Sequence, residues 1–350
     1  MSSSQHLEAA PLSEKRHILI LQPMIGIGDM IWVKPWIDET IRRHNVTLMV
    51  KPSSHAKFIM HEHKLDLRML HRSERGRKGR HDGILGFFRL VADMRQINPD
   101  EIWILHRSWR YAFGAFMAGI KCRLGFGIGK QKWFLSKTSP LSDQMRGIHP
   151  REAVSRIMNE EGIFPDDTHP HLSATDEYLA QARAILPKHK SVIIMGVGCT
   201  GEERRWSPAN FAIVVDWITT HFPDLHIVLC GSPDERVIGD QIIECLGGAL
   251  PQIQLLFDQP LGVVIGVHQL AKLYIGNDTS LINIAAATGI KAIRIYASTL
   301  PVLESHLISS LWPEDPERIG VAGSINDISP DRVIELAQPL LEDMQQDIVH

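Results

Sequence analysis

Three glycine-punctuated turns hold the residues of this chain best suited to chemistry on a phosphorylated ligand. The first, Gly26-Ile27-Gly28-Asp29, directly follows an apolar run. Glycines there let the backbone approach a ligand, a helix start beyond them presents unpaired N–H groups, and Asp29 supplies a carboxylate that can accept a proton or cap the helix. The second turn runs Gly196-Val197-Gly198-Cys199-Thr200-Gly201-Glu202-Glu203-Arg204-Arg205-Trp206-Ser207-Pro208. Its backbone N–H groups, hydroxyl and guanidinium groups suit phosphate oxygens, and Pro208 is placed to open the next helix. Its plainer reading is a surface loop with Arg204 paired to a nearby Glu. The third turn, Tyr274-Ile275-Gly276-Asn277-Asp278-Thr279-Ser280, ends one apolar run and opens a helix containing Ala285-Ala286-Ala287, with Asp278 or Thr279 as N-cap. The unpaired N–H groups and dipole of that helix start attract anions.

One segment departs from the background charge. Between Arg68 and His81 stand Arg72, Arg75, Arg77, Lys78 and Arg80 against Glu74 alone, with Gly76 and Gly79 between them. This is read as a mobile basic loop, either merely solvated or a site for an anionic acceptor or lipid headgroup.

Several chemistries are disfavoured. A dinucleotide fingerprint needs a third glycine after Gly26 and Gly28 and an acid ending the second strand; Ile31 and Val50-Lys51-Pro52 stand there instead. The 18 histidines include His61-Glu62-His63 and His169-Pro170-His171, but neither forms a zinc-binding helix or a Cys/His pattern, so no metal and no cofactor is expected. No Gly-x-Ser-x-Gly elbow or Walker loop occurs. A formal charge of -3 supplies no global field for nucleic acid.

The elements that must position these turns follow from hydrophobic patterning. Short aliphatic runs at His17–Gln22, Val46–Val50, Glu101–Leu105, Val192–Gly196, Ile227–Cys230, Leu273–Ile275 and Ala292–Tyr296 alternate with amphipathic segments such as Pro208–Phe222 and Ser280–Thr288. That alternation predicts parallel strands joined by crossover helices. Pro35 predicts that the helix after the first turn begins late or is kinked. Three hundred and fifty residues suit two cores. The expected division is a disordered lead-in over 1–16, an acceptor domain over 17–165, a linker over 166–188 around the Pro- and Asp-rich stretch 164–170, a nucleotide-sugar domain over 189–330, and a C-terminal helix over 331–350. Four cysteines without a CxxC pair predict a reducing compartment, and no run approaches the ~18 apolar residues of a membrane span.

In order, these turns resemble glycosyltransferase family 9, the heptosyltransferase-like enzymes of lipopolysaccharide core assembly. The resemblance also includes Pro35 beyond Gly28-Asp29, the stretch Pro99-Asp100-Glu101-Ile102-Trp103-Ile104-Leu105-His106-Arg107-Ser108, Arg123-Leu124-Gly125-Phe126, and Leu229-Cys230-Gly231-Ser232-Pro233. It implies an α/β fold of the GT-B type, two Rossmann-like domains facing a central cleft. It further implies metal-independent, inverting transfer from a nucleotide-diphosphate sugar to a glycan or glycolipid acceptor. Asp29 matches the general base, and the donor phosphates fall to Cys199, Thr200, Arg204 (usually Lys), Asp278, Thr279 and Ser280. Gly26, Gly28, Asn277 and Asn283 would line the donor and acceptor cleft. The implied setting is the cytoplasm, with peripheral contact at the inner membrane and no nucleic acid. Two positions depart from the family turn: Ser280 stands for its Gly and Asn283 for its His. A non-catalytic sugar-nucleotide binder and a nucleotide-sugar epimerase remain the alternative readings.

Overall fold

The computed structural model describes residues 15–74, 76–298 and 305–349; most of the lead-in over 1–16 and Arg75 lie outside the described residues. The chain divides into two units: residues 1–25, 36–52 and 64–166 form the first, and residues 26–35, 53–63 and 167–350 the second.

In the first unit, β1 (His17–Gln22), β2 (Asn45–Val50), β3 (Asp66–Met69), β4 (Glu101–Ile104) and β5 (Cys122–Gly125) make a parallel sheet in the order β3-β2-β1-β4-β5. The helix α1 (Ile27–Arg43) links β1 to β2, and α2 (Ala56–Ile59) is a single turn. Beyond β3, α3 (Gly83–Ile97) and α4 (Trp109–Met117) cover one face, burying Leu90, Val91, Met94, Ala112 and Ala115 against Leu19, Leu21 and Ile104. The helix α5 (Pro150–Glu160) follows. Contrary to expectation, α1 starts early, at Ile27, and is helical through Pro35.

The second unit carries α6 (Asp176–Ile185), β6 (Val192–Gly196), α7 (Pro208–His221), β7 (His226–Cys230), α8 (Arg236–Cys245), β8 (Ile253–Leu256), α9 (Leu261–Leu270), β9 (Leu273–Asn277), α10 (Ser280–Ala287), β10 (Lys291–Ile295), β11 (Ile308–Leu311) and α11 (Pro330–Val349). Its parallel sheet runs β11-β10-β9-β6-β7-β8, a doubly wound order whose direction reverses between β6 and β9. The strands β6, β7 and β9 are buried along their whole length, as a sheet covered on both faces requires. On one face Trp206, Phe211 and Val215 pack with residues of α11; on the other Val263, Val267, Ile282 and Ala286 pack with Trp32 of α1.

Both sheets are of the Rossmann kind, the GT-B type of architecture. At the switch point β6 and β9 approach very closely: a Cβ on Gly276 would overlap the backbone of Gly196. Glycine at 276 lets the two strand ends lie side by side, while glycine at 196 leaves room for the Tyr274 hydroxyl.

Candidate functional site

The loops leaving β6 and β9 meet at the carboxyl ends of adjacent strands, where open α/β sheets bind their ligands. Asn277 ties them together. Its side chain is fully buried; Oδ1 accepts from the Trp206 N–H at 3.1 Å, and Nδ2 donates to the carbonyls of Val197 at 2.9 Å and Gly198 at 3.2 Å. With these bonds Asn277 holds the two loops together inside the unit. Behind it Trp206 is anchored by its indole N–H to the Ile328 carbonyl at 2.9 Å.

Cys199 is buried under the loop, its thiol directed at the carbonyls of Thr200 (3.7 Å) and Asp278 (4.0 Å), and burial raises its pKa. Thr200 is exposed, and its carbonyl accepts from Nε and Nη2 of Arg204 at 3.1 and 2.6 Å. Arg204 therefore folds back on its own loop instead of pairing with a neighbouring Glu, and its guanidinium head is exposed beside the turn. Arg205 is half-buried and donates to the Cys199 carbonyl at 3.2 Å, while its buried Nε has no hydrogen-bond partner. The Glu235 carboxylate, which accepts from the Ser232 N–H at 2.7 Å, lies directly against Gly198.

On the β9 side Thr279 is the N-cap of α10: its hydroxyl accepts from the Leu281 N–H at 3.3 Å, and Ser280 is the first helical residue. Asp278 is half-buried before the cap, and Arg294 of β10 reaches it at 3.5 Å. Arg294 is buried, donates through Nε to the Ser310 hydroxyl at 2.9 Å and lies 5.3 Å from the Tyr296 ring centre. Burial raises the Asp278 pKa; the positive charge of Arg294 and, more weakly, of Arg204 opposes that rise. Arg294 had no place in the sequence reading, though a lone charge inside the apolar strand Ala292-Ile293-Arg294-Ile295 was its signal.

The start of α1 joins this group. Gly28 lies so close to Asn283 of α10 that a Cβ would overlap the amide nitrogen. Asn283 Oδ1 accepts from the Trp32 indole N–H at 2.9 Å, and Nδ2 donates to the Thr279 carbonyl at 3.3 Å. Asp29, next to Gly28, accepts from the Gly26 N–H at 3.3 Å across the first turn of the helix. Trp32→Phe removes one donor and leaves the Asn283 oxygen without it, so it is expected to cost about 1 kcal/mol; a urea unfolding midpoint that does not move would contradict this.

In the first unit the basic segment is tied to the fold near both of its ends. His81 is fully buried, accepting at Nδ1 from the His71 N–H at 3.0 Å and bonding Asp93 through Nε2 at 2.9 Å; burial keeps its pKa low. Arg72 pairs with Asp82 at 3.3 Å, and Arg80 grips Asp93 at 2.8 and 2.9 Å. Arg77 and Lys78 are exposed. At the end of β4, His106 accepts from the Ser108 N–H at 2.9 Å; burial, with Arg107, Lys51 and Arg72 nearby, pushes its pKa down to about 4. Among the described residues no cluster of three His, Cys, Asp or Glu side chains could hold a metal ion, and no helix is long and apolar enough to cross a membrane.

The family model described as glycosyltransferase family 9 (heptosyltransferase) matches residues 87–309, a span that holds the loops leaving β6 and β9. Among solved structures, a family 9 glycosyl transferase from Veillonella parvula has 18% identity and a TM-score of 0.76 over 94% of this chain and 97% of that one. The E. coli ADP-heptose lipopolysaccharide heptosyltransferase II has 18% identity and a TM-score of 0.69 over 94% and 99%. The E. coli heptosyltransferase WaaC with ADP-2-deoxy-2-fluoro heptose has 14% identity and a TM-score of 0.68 over 92% and 99%. A search of curated proteins gave no match. With nearly two thirds of its length matched by the family model, and its switch-point loops arranged as described, the chain belongs to glycosyltransferase family 9 and is a glycosyltransferase.

Proposed function

We propose that the protein transfers a heptose from a nucleoside-diphosphate donor to a lipopolysaccharide-core or related glycan acceptor, with inversion and without a metal ion. The observation that carries this reading is the contact of Gly28 with Asn283, whose amide also holds the Thr279 carbonyl. It brings the start of α1, with Asp29, beside the N-terminus of α10. A carboxylate and an anion-binding helix start are thereby adjacent. The relatives' own ligand, ADP-2-deoxy-2-fluoro heptose in WaaC, supports the donor class.

In the proposed reaction the acceptor hydroxyl attacks the anomeric carbon from the face opposite the diphosphate. A C–O bond forms there as the bond from that carbon to the phosphate oxygen breaks. The hydroxyl proton passes to Asp29, which answers the need for a base as the nucleophile loses its hydrogen. The nucleoside diphosphate leaves with the bonding electrons, and its growing charge is met by Arg204, the Thr200 hydroxyl, the Cys199 backbone and the N–H groups at Thr279 and Ser280. Asp278 repels phosphate; paired with Arg294, it holds the turn. Gly26 leaves room for the Asp29 carboxylate and Gly28 for the Asn283 amide; in the first unit the exposed Arg77 and Lys78, with Arg72 and Arg80 in their ion pairs, offer positive charge to an anionic acceptor.

Arg204→Ala is expected to weaken binding of the preferred nucleoside diphosphate by roughly ten- to a hundredfold and that of the free nucleoside little, because a charge-assisted bond contributes about 1.5–3 kcal/mol. Arg204→Lys should recover much of the loss. Arg205→Ala is not a neutral control, since Arg205 holds the Cys199 carbonyl. A thermal-shift panel of ADP-, GDP-, UDP- and dTDP-sugars selects the ligand, and titration calorimetry on the variants gives the answer; an unaffected Arg204→Ala protein moves the phosphate site elsewhere. Donor hydrolysed or isomerised without acceptor, or bound without any turnover, would replace transfer with the epimerase or the binding-protein reading.

A further inference from the structure

Two fully buried titratable side chains of the second unit, Tyr274 and His268, have no part in the transfer described above. Tyr274 belongs to β9, and its phenol fills the space in front of Gly196 of β6, where a Cβ would overlap the hydroxyl and the ring edge. From there the hydroxyl donates to the Asn277 carbonyl at 3.2 Å, one residue before Asp278 and two before the Thr279 cap of α10. The ring also packs against that of His268, with 6.1 Å between centres and 27° between planes. His268 is itself fixed, its Nδ1 donating to the Val264 carbonyl at 2.8 Å. Burial raises the phenol pKa, against the pull of the Thr279 hydroxyl, so the group stays protonated and able to donate.

Core packing alone does not ask for this hydroxyl. A smaller apolar residue at 274 with a larger one at 196 would fill the same volume without burying a polar atom, and a buried phenol is favourable only where its O–H finds a partner. Here the partner is the backbone of the turn itself. Asn277, whose carbonyl Tyr274 holds, reaches with its side chain to the carbonyls of Val197 and Gly198. The approach of Gly276 to the backbone of Gly196 brings the two strand ends together at the same level. Tyr274 therefore touches both loops at their roots: it lies against the start of one at Gly196 and is bonded to the start of the other at Asn277.

We propose that Tyr274 is a positioning residue for the donor site: seated against Gly196, it sets the turn at 277–279, and with it the start of α10, relative to the loop that leaves β6. The inference rests on the donor reading above, in which those two elements meet the diphosphate, and its tests separate the two. Tyr274→Phe keeps the ring and removes the bond. In the nucleotide-free protein it should speed amide hydrogen exchange at residues 278–283 by roughly two- to tenfold, the worth of one hydrogen bond, and leave β7 unchanged. Titration calorimetry with whichever of ADP, GDP, UDP and dTDP binds the wild type should show a loss of the same size for the diphosphate and none for its parent nucleoside. Gly196→Ala should lower the melting temperature, and adding Tyr274→Leu should raise it again, because the two changes together nearly conserve volume. Exchange that stays at the wild-type rate in Tyr274→Phe, equal losses of diphosphate and nucleoside, or a G196A/Y274L variant less stable than Gly196→Ala would each overturn the proposal. Faster exchange in a protein that binds none of the four nucleotides would keep Tyr274 in its role and remove the donor reading.

Discussion

Asp29→Asn is expected to bind donor much as the wild type does and to lose about 10²- to 10⁴-fold in kcat, the usual range for removing a positioned base. The substitution preserves shape: an amide oxygen can still accept from the Gly26 N–H, as the carboxylate does at 3.3 Å, so the first turn of α1 keeps its closure. What disappears is the group that takes the acceptor proton. Steady-state transfer in a buffer containing EDTA decides both halves of the proposal. Wild-type turnover should be unchanged by the chelator, and the variant should show lowered kcat with little change in donor KM. Near-normal turnover by Asp29→Asn would remove the residue from the mechanism.

Arg294→Met should cost about 3 kcal/mol of stability and weaken nucleotide binding with it. Breaking a buried pair by removing one partner typically costs 3–5 kcal/mol, and the lower end applies because the Asp278 side chain keeps 35% of its exposure. The loss arises on the acid: burial already raises the Asp278 pKa, and Arg294 is the principal charge opposing that rise. Without it the folded-state pKa climbs further above that of the unfolded chain. The folded protein then holds more protons than the unfolded one through that window, and stability falls as pH rises across it. The variant's deficit should therefore be smallest at acid pH, where Asp278 is protonated, and full above the folded-state pKa. Urea unfolding at several pH values measures this directly; a deficit independent of pH would mean that lost packing, not an uncompensated carboxylate, is responsible. Arg294→Lys, which keeps the charge but not the planar contact over Tyr296, should fall between the two.

The central strands were legible from sequence because both of their faces are buried: β1, β6, β7 and β9 read as unbroken apolar runs, and the turns after them stood out as glycine-rich breaks. The four strands that pattern reading missed, β3, β5, β8 and β11, are the edges of the two sheets. Asp66-Leu67-Arg68-Met69 shows why: an edge strand is covered on fewer sides and can carry charge. The α10 cap was readable to within Asp278 or Thr279 for the opposite reason, since a capping side chain directly before a helix start acts locally; the structure assigns it to Thr279. Tertiary structure alone decided the pairings across large sequence distances. Trp32 meets Asn283 251 residues away, and Arg294 reaches Asp278 from the neighbouring strand. Composition can propose a lone Arg in an apolar strand as unusual, but only strand order says which acid faces it.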